Sequence, residues 1–429
     1  MKILIIGTGY VGLVSGACYA ELGHEVVCVD NDSAKIEKLN RGEVPFFEVG
    51  LPALISKNKA AGRLQFKLSI KDDVNSSDII FIAVGTPSKE NGQADLKYVF
   101  EVAKEIGQNL QNYNVVVTKS TVPIGTSKKI RRIIAQYYNG AFDVASCPEF
   151  LREGTAVKDF MNPERIVYGT ESETARRVLH LVNEKLSCPK IETSIPSSEL
   201  IKYASNAFLA TKISFINEIA NVCESVGADI DVVSYGMGLD SRIGHKFLKA
   251  GLGYGGSCLP KDVRALQSIS GENGYHFQVL KSVIDVNNYQ RWKFFNKIKN
   301  ILGDFNNKEI GIWGIAFKAN TDDIRESISL DLTLRLIEEG AKLRVYDPKA
   351  LESAKKILGQ ENVVYSASAL DTCRGADAVI IGTEWPEFQE VDLVQLRNVM
   401  KSQIVFDGKN LLDKNKLLSL GFKYFSIGR

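Results

Sequence analysis

The sequence predicts an α/β fold: two doubly wound parallel sheets joined by a central helical region with a long bridging helix. Three observations predict it. Short apolar runs alternate with helical stretches at both ends of the 429-residue chain, the pattern of parallel sheets layered with helices. The first apolar run leads straight into glycines spaced G-x-G-x-x-G. Between the two ends the chain carries helical periodicity and little strand signal. The length fits two or three domains, and the expected divisions are 1–196, 197–304 and 305–429.

Residues 2–7, KILIIG, suit a buried parallel strand. Gly7, Gly9 and Gly12 follow, then a helical stretch to about Leu22, then EVVCVD as a second strand ending at Asp30. The glycines turn the chain, admit a pyrophosphate to the backbone and pack helix on strand, while the helix start faces the phosphate charge. Asp30 lies 18 residues past Gly12, where an acid accepts bonds from ribose hydroxyls. It would repel a 2′-phosphate, and no arginine follows within ten residues, so NAD is expected over NADP. Together these features read as a Rossmann-like dinucleotide-binding domain.

Further strands are expected in DIIFIAVGTP (78–87), NVVVTKSTVP (114–123) and DVASCPEF (143–150). Thr86 and Thr121 fall at strand ends, where hydroxyls face a ligand or cap a turn. In PEFLREG (148–154), Glu149 and Glu153 face the same way if the segment is a helical turn. After a loop at Ser194–Ser198, residues 198–227 read as one long helix, with Lys202 and Asn206 on a common face. Such a pair in a cleft stabilises an oxyanion; the spacing equally fits a lysine on a solvated surface. Residues 275–302 form a second long helix, expected to bridge two domains. From Lys308, EIGIWGIAF, KLRVYDP, ADAVIIGTEW and SQIVFDGKN repeat the strand–helix alternation without the three-glycine turn. That turn instead reads IAFKANTDDIRES, with Lys318 and Arg325 as cations for a phosphate.

Composition removes several classes of function. Lys and Arg number 53 against 51 Asp and Glu, so no basic tract points to nucleic acid. No apolar run reaches the roughly 18 residues of a membrane helix. Met1 and Lys2 lead an apolar stretch ending in SGACYA, which superficially resembles a secretion signal. Its fixed glycines and its continuation into a strand favour a sheet instead. The seven cysteines are scattered and form no Cys-x-x-Cys pair, which argues against a disulfide framework or zinc site and for a reducing cytoplasm. With only four histidines, no metal is expected.

The chemistry concentrates in GYGGSCLPKD, residues 253–262. Three glycines bring a loop close to a ligand, Cys258 ends it, and Pro260 fits the first turn of a following helix. A helix start and the neighbouring Lys261 both favour thiolate over thiol. The segment reads as a covalent catalytic site, against the plainer alternative of a small buried thiol in a turn.

Across nearly the whole chain the sequence resembles the UDP-glucose/GDP-mannose dehydrogenase family. The residues that carry the resemblance are IIGTGYVGL, VGTP, KSTVPIGT, PEFLREGTAVKDF, ELIKYASNAFLATKISFINE, FLKAGLGYGGSCLPKD, GIAFKANTDDIRES and VYDP. The resemblance implies oxidation of UDP-glucose to UDP-glucuronate in two steps, with two NAD, in a homodimer. Cys258 then attacks the C6 aldehyde, Lys202 and Asn206 stabilise the oxyanion, and Asp262 orients a water. Whether Asp262, Lys202 or that water is the first base stays open. Glu149 assists thioester hydrolysis, and Thr121 partners water or cofactor.

For NAD the resemblance implies Gly7, Gly9, Tyr10, Val11, Gly12, Asp30, Lys35, Thr86, Thr121, Glu153, Lys261 and Arg325. For the sugar nucleotide it implies Glu149, Phe150, Leu151, Arg152, Glu153, Lys202, Asn206, Arg242 and Phe247. Lys249, Gly251, Tyr254 and Gly255 join them, with Phe317, Lys318 and Lys409 from a UDP-sugar-binding third domain. Val49 stands where the family usually has proline, leaving that loop less rigid. Lys409 stands where it usually has arginine, without the planar fork of guanidinium. Three alternatives remain: the same mechanism on GDP-mannose or a UDP-N-acetylhexosamine, a one-step dehydrogenase of the 6-phosphogluconate type, and a nucleotide-sugar-binding protein without catalysis.

Overall fold

Alternation along the first strand sets the layers of the N-terminal sheet. Ile3 and Ile5 point into one apolar cluster with Leu13, Ala17 and Phe160, while Leu4 and Ile6 point into another with Val99, Ile106 and Ile130. Both faces are therefore covered, as a parallel sheet requires. The computed structural model describes all 429 residues and divides into two compact units. One comprises 1–205 with 264–275, the other 206–263 with 276–429.

The first unit holds eight strands: β1 (Lys2–Ile6), β2 (Glu25–Val29), β3 (Leu64–Lys67), β4 (Ile79–Ile82), β5 (Val115–Thr118), β6 (Asp143–Ser146), β7 (Ile166–Gly169) and β8 (Lys190–Thr193). Their order is β3-β2-β1-β4-β5-β6-β7-β8. The pairings are parallel except β6 with β7, which meet at a single antiparallel pair, Ser146 with Gly169. The chain order reverses beside β1, and that switch point is where such sheets take ligands.

The second unit repeats the plan with β9 (Glu309–Trp313), β10 (Lys342–Tyr346), β11 (Val363–Tyr365), β12 (Ala378–Ile381), β13 (Ile404–Asp407) and β14 (Lys423–Phe425). Their order, β11-β10-β9-β12-β13-β14, is all parallel and matches the first six strands of the other sheet. Ile310 and Ile312 bury on one face and Trp313 on the other, so this sheet too is double-sided.

Helix Ile195–Val226 begins where the sequence reading places a loop, because Pro196 fits a first helical turn. A second long helix runs Gln278–Leu302; it lies wholly within the second unit, and it is Ile195–Val226, not this helix, whose residues divide between the two units. The segment 148–152 is irregular rather than a helical turn, so the i, i+4 argument for Glu149 and Glu153 does not apply. No helix is long and apolar enough to cross a membrane.

Candidate active site

The residues marked in the sequence fall into two groups, one in each unit. In the first unit, Gly7 adopts φ +105°, a turn that L side chains resist. A Cβ on Gly12 would stand 1.9 Å from the Gly7 carbonyl oxygen, so helix Tyr10–Glu21 can start this close to β1 only with glycine there. At Gly9 a Cβ would meet nothing within 4 Å. The loop is thus closed on its protein side and open at Gly9 beside a helix N-terminus, as a pyrophosphate requires.

Asp30 lies just past β2. Its Oδ2 accepts from the Thr8 N–H (2.8 Å), the Thr8 hydroxyl (2.8 Å) and Lys35 Nζ (3.0 Å). Its Oδ1 accepts only the Asp32 N–H, at 3.1 Å, and keeps capacity for a ribose hydroxyl. Burial raises the affinity of this carboxyl for its proton, but the Thr8 and Lys35 bonds outweigh that and hold it below the usual range. These residues fit a dinucleotide. Lys35 is held by Asp30 in an ion pair. Thr86 donates its hydroxyl to the Thr121 carbonyl at 2.9 Å, which ties the loops after β4 and β5 together, while Thr121 itself is half-buried just past β5.

Glu149 and Lys202 meet at 3.0 Å with side chains only 5% exposed each. Lys202 is therefore not the surface lysine that spacing alone allows. Glu149 also accepts from the Leu151 N–H at 2.5 Å, and Lys202 lies 5.4 Å from the Phe150 ring centroid. Arg165 also lies over that ring, its Cζ 3.9 Å from the centroid. Arg152 is committed to Asp159 through Nε (2.9 Å) and its backbone N–H (3.0 Å). Glu153 is buried and Leu151 half-buried.

One residue of this group had no sequence signal. Glu48, 2% exposed, accepts from the Gly154 N–H at 2.6 Å and from the Tyr10 hydroxyl. Burial, then Glu48, pushes the Tyr10 phenol well above its usual range. Val49 beside it is exposed.

In the second unit, Cys258 is exposed and immediately precedes helix Leu259–Glu272, with the Ser257 hydroxyl 3.7 Å from Sγ. Lys261, expected to act on the sulfur, turns its ammonium to Asp262 Oδ1 at 2.5 Å. The helix N-terminus beside Cys258 favours the thiolate. Asp262, 1% exposed, accepts from Asn206 Nδ2 at 2.6 Å on its other oxygen.

The glycine loop ahead of the cysteine is strapped by amides. Gly251 N–H donates to Asn217 Oδ1 (2.9 Å), and Gln290 Nε2 donates to the Gly251 carbonyl (3.2 Å). Asn287 accepts from the Tyr254 N–H (2.8 Å) and donates to its carbonyl (3.0 Å). A Cβ on Gly255 would stand 2.2 Å from the Glu326 carbonyl oxygen, and one on Gly256 would stand 2.6 Å from the Phe317 ring. Phe247 holds φ +64°, a conformation costing about 1–3 kcal/mol outside glycine. Lys409 pairs with Glu384 at 2.8 Å, and Lys318 lies 5.5 Å from the Phe317 ring centroid. Arg242 is 87% exposed and bonded to Asp240; Arg325 is bonded to Asp323. Lys249 is exposed.

The first unit is a dinucleotide-binding Rossmann domain, and the second presents an exposed cysteine at a helix start. These define a class: α/β oxidoreductases with a candidate thiol nucleophile. Residues 1–187 match the NAD binding domain of the UDP-glucose/GDP-mannose dehydrogenase family, 196–289 its central domain and 311–414 its UDP binding domain. The chain belongs to that family. It is 47% identical to UDP-glucose 6-dehydrogenase TuaD of Bacillus subtilis over all of this chain and 93% of that protein. It is 46% identical to a UDP-glucose 6-dehydrogenase of Rhizobium meliloti, with both chains fully covered. Among solved structures, a UDP-glucose dehydrogenase from Pyrobaculum islandicum superposes with a TM-score of 0.93 at 38% identity, covering 99% of this chain and 96% of that one.

Proposed function

We propose that this enzyme oxidises the C6 alcohol of UDP-glucose to the carboxylate of UDP-glucuronate in two steps. NAD, when bound, supplies the two-electron acceptor for each step. The observation that carries the reading is an exposed thiol at a helix N-terminus with a buried Asn206–Asp262 pair in the same unit. Its sulfur adds to the C6 aldehyde as a thiohemiacetal, which holds the half-oxidised sugar until the second oxidation makes a thioester. Water then cleaves the carbon–sulfur bond, releasing the acid and restoring the thiol.

Lys202 and Asn206 are assigned the developing oxyanion. Asp262 is assigned the water, held by its bonds to Asn206 and Lys261. Glu149, whose charge Lys202 balances, is assigned the hydrolytic water. Gly9 and the start of helix Tyr10–Glu21 take the pyrophosphate, and Asp30 Oδ1 a ribose hydroxyl. The strapped loop 249–256, Phe317, Lys318 and Lys409 take the sugar nucleotide.

The test is stoichiometry and choice. Two NADH per UDP-glucose are expected, with GDP-mannose and UDP-N-acetylhexosamines turned over far more slowly. One NADH per sugar rejects the mechanism. We further infer a homodimer through helix Ile195–Val226, rather than through the helix of 275–302, because Phe208, Phe215 and Val222 recur on it every seven residues and are each at least half exposed. A monomer by light scattering rejects it. Seven unpaired thiols support a reducing cytoplasm as the site of action.

A further inference from the structure

Two consecutive residues at the start of the long helix, Ser198 and Glu199, are 0% and 3% exposed. Ser198 Oγ donates to the Ser146 carbonyl (3.3 Å) and lies 3.1 Å from its hydroxyl. Ser146 ends β6, three residues before Glu149. A Cβ on Gly169 would stand 2.5 Å from Ser198 Cβ, so the helix rests directly on β7.

Glu199 faces a different element. One oxygen accepts from the Gly125 N–H at 2.6 Å; the other accepts from the Ser127 N–H (2.9 Å) and hydroxyl (2.7 Å). Helix Thr126–Ala135 has glycine at its N-cap and no capping side chain of its own. Glu199 supplies that cap from another helix, with the charge sign the helix N-terminus favours. The capped loop begins at Thr121, and Lys202 lies one turn beyond Glu199.

We propose that Glu199 is a positioning residue, setting the Thr121 loop and the Lys202 ammonium in register across a single buried carboxylate. The proposal rests on the site roles assigned above to Thr121, Lys202 and Glu149. A cap needed only for stability would be as good from a local serine or aspartate. A carboxylate that spans two elements, one helical turn from the lysine, fixes a distance as well. Misplacement on the order of 1 Å is enough to cost turnover on the order of a hundredfold.

The test is E199Q, which keeps shape but turns an amide NH₂ against one of the three donors. The expected result, per folded enzyme by NAD binding, is a roughly tenfold or larger fall in kcat. The NAD dissociation constant and the KM for UDP-glucose should stay within about twofold, a split that a destabilised fold would not give. Ser127→Ala removes one donor only and should fall between the two; it decides the matter if E199Q does not fold. Wild-type kcat in folded E199Q, or in Ser127→Ala where E199Q is unfolded, overturns the proposal. Cys258→Ser is measured alongside: full activity there sinks the reading of the site itself, whereas an inactive Cys258→Ser beside a normal E199Q sinks only the role of Glu199.

Discussion

Replacing Lys202 with methionine keeps most of the side-chain volume and removes the charge opposite Glu149. The two side chains are each 5% exposed and 3.0 Å apart, so the orphaned carboxylate is left in a nearly dry site. Breaking a buried pair from one side costs about 3–5 kcal/mol. The Leu151 N–H stays on Glu149 at 2.5 Å and moderates the loss, which places the expectation near about 3 kcal/mol. At about 2–4 °C per kcal/mol for a unit of this size, the first transition should fall by roughly 6–12 °C. Removing both charges, with Lys202→Met and Glu149→Leu together, should recover most of that loss, because apolar pairs of similar size replace buried ion pairs at little cost. Activity should not return. The assay is the thermal and urea midpoint of the two variants beside wild type, read with NADH production. A loss under about 1 kcal/mol in Lys202→Met, or a double variant no better than the single, refutes the claim that the pair is buried and mutually compensating.

Asp30→Ala should weaken NAD by about 1.5–3 kcal/mol, or roughly 10- to 150-fold, the loss of a charged hydrogen bond, while NADP binding changes less; parallel losses for both refute the ribose assignment. It should also destabilise, since the fully buried Thr8 loses the acceptor of its N–H and hydroxyl. Iodoacetamide should label Cys258 before the other six thiols, because it is exposed while burial pushes the Cys18, Cys28, Cys147, Cys188 and Cys373 thiols upward; even labelling across the seven is the contrary result. Acid should erode stability through depressed carboxyls such as Asp159, where burial raises the proton affinity but Arg152 lowers it further. That contribution is intact above the unfolded value of about pH 4 and lost as pH falls through the lower folded value. Asp159→Asn should therefore flatten the urea midpoint between pH 5 and 2, and an unchanged slope would count against it.

What the sequence made legible follows local pattern. The glycine turn, Asp30, Cys258 before Pro260 and the long helices are each written within about twenty residues, where spacing fixes geometry. Strands β3, β7, β8, β11 and β14 escaped: each is three or four residues long with no more than three consecutive apolar residues to mark it, and in β8 two of the four are exposed. The site's supports escaped for a different reason. Glu48 meets Gly154, Glu199 meets Ser127 and Asn287 meets Tyr254 across long sequence separations. Nothing in a one-dimensional pattern marks a glutamate on an amphipathic helix as buried rather than solvated. Lys261 shows the converse: its place beside Cys258 marked its charge for the sulfur, and only the structure shows that its ammonium bonds Asp262.

The two sheets show why an acid after a second strand signals a dinucleotide only in context. Asp30 and Asp347 stand at the same place, after β2 and β10, and Gly7 and Gly314 turn the chain after β1 and β9 with φ +105° and +89°. Yet Asp347 is consumed by its own unit. Its Oδ2 accepts from the Ile315 and Ala316 N–H groups (2.7 and 2.9 Å) and Trp385 Nε1, and its Oδ1 from Lys349 and Ala350 (2.9 and 2.8 Å). No acceptor capacity remains for a ribose. Here the loop after the first strand runs on to Ser327, which caps helix Ile328–Glu338, instead of starting a helix at once as Gly9 does. An aspartate that folds its own loop cannot also grip a ribose. The two sheets share a plan, but only the one with an open glycine and a half-used carboxylate has a site for a dinucleotide.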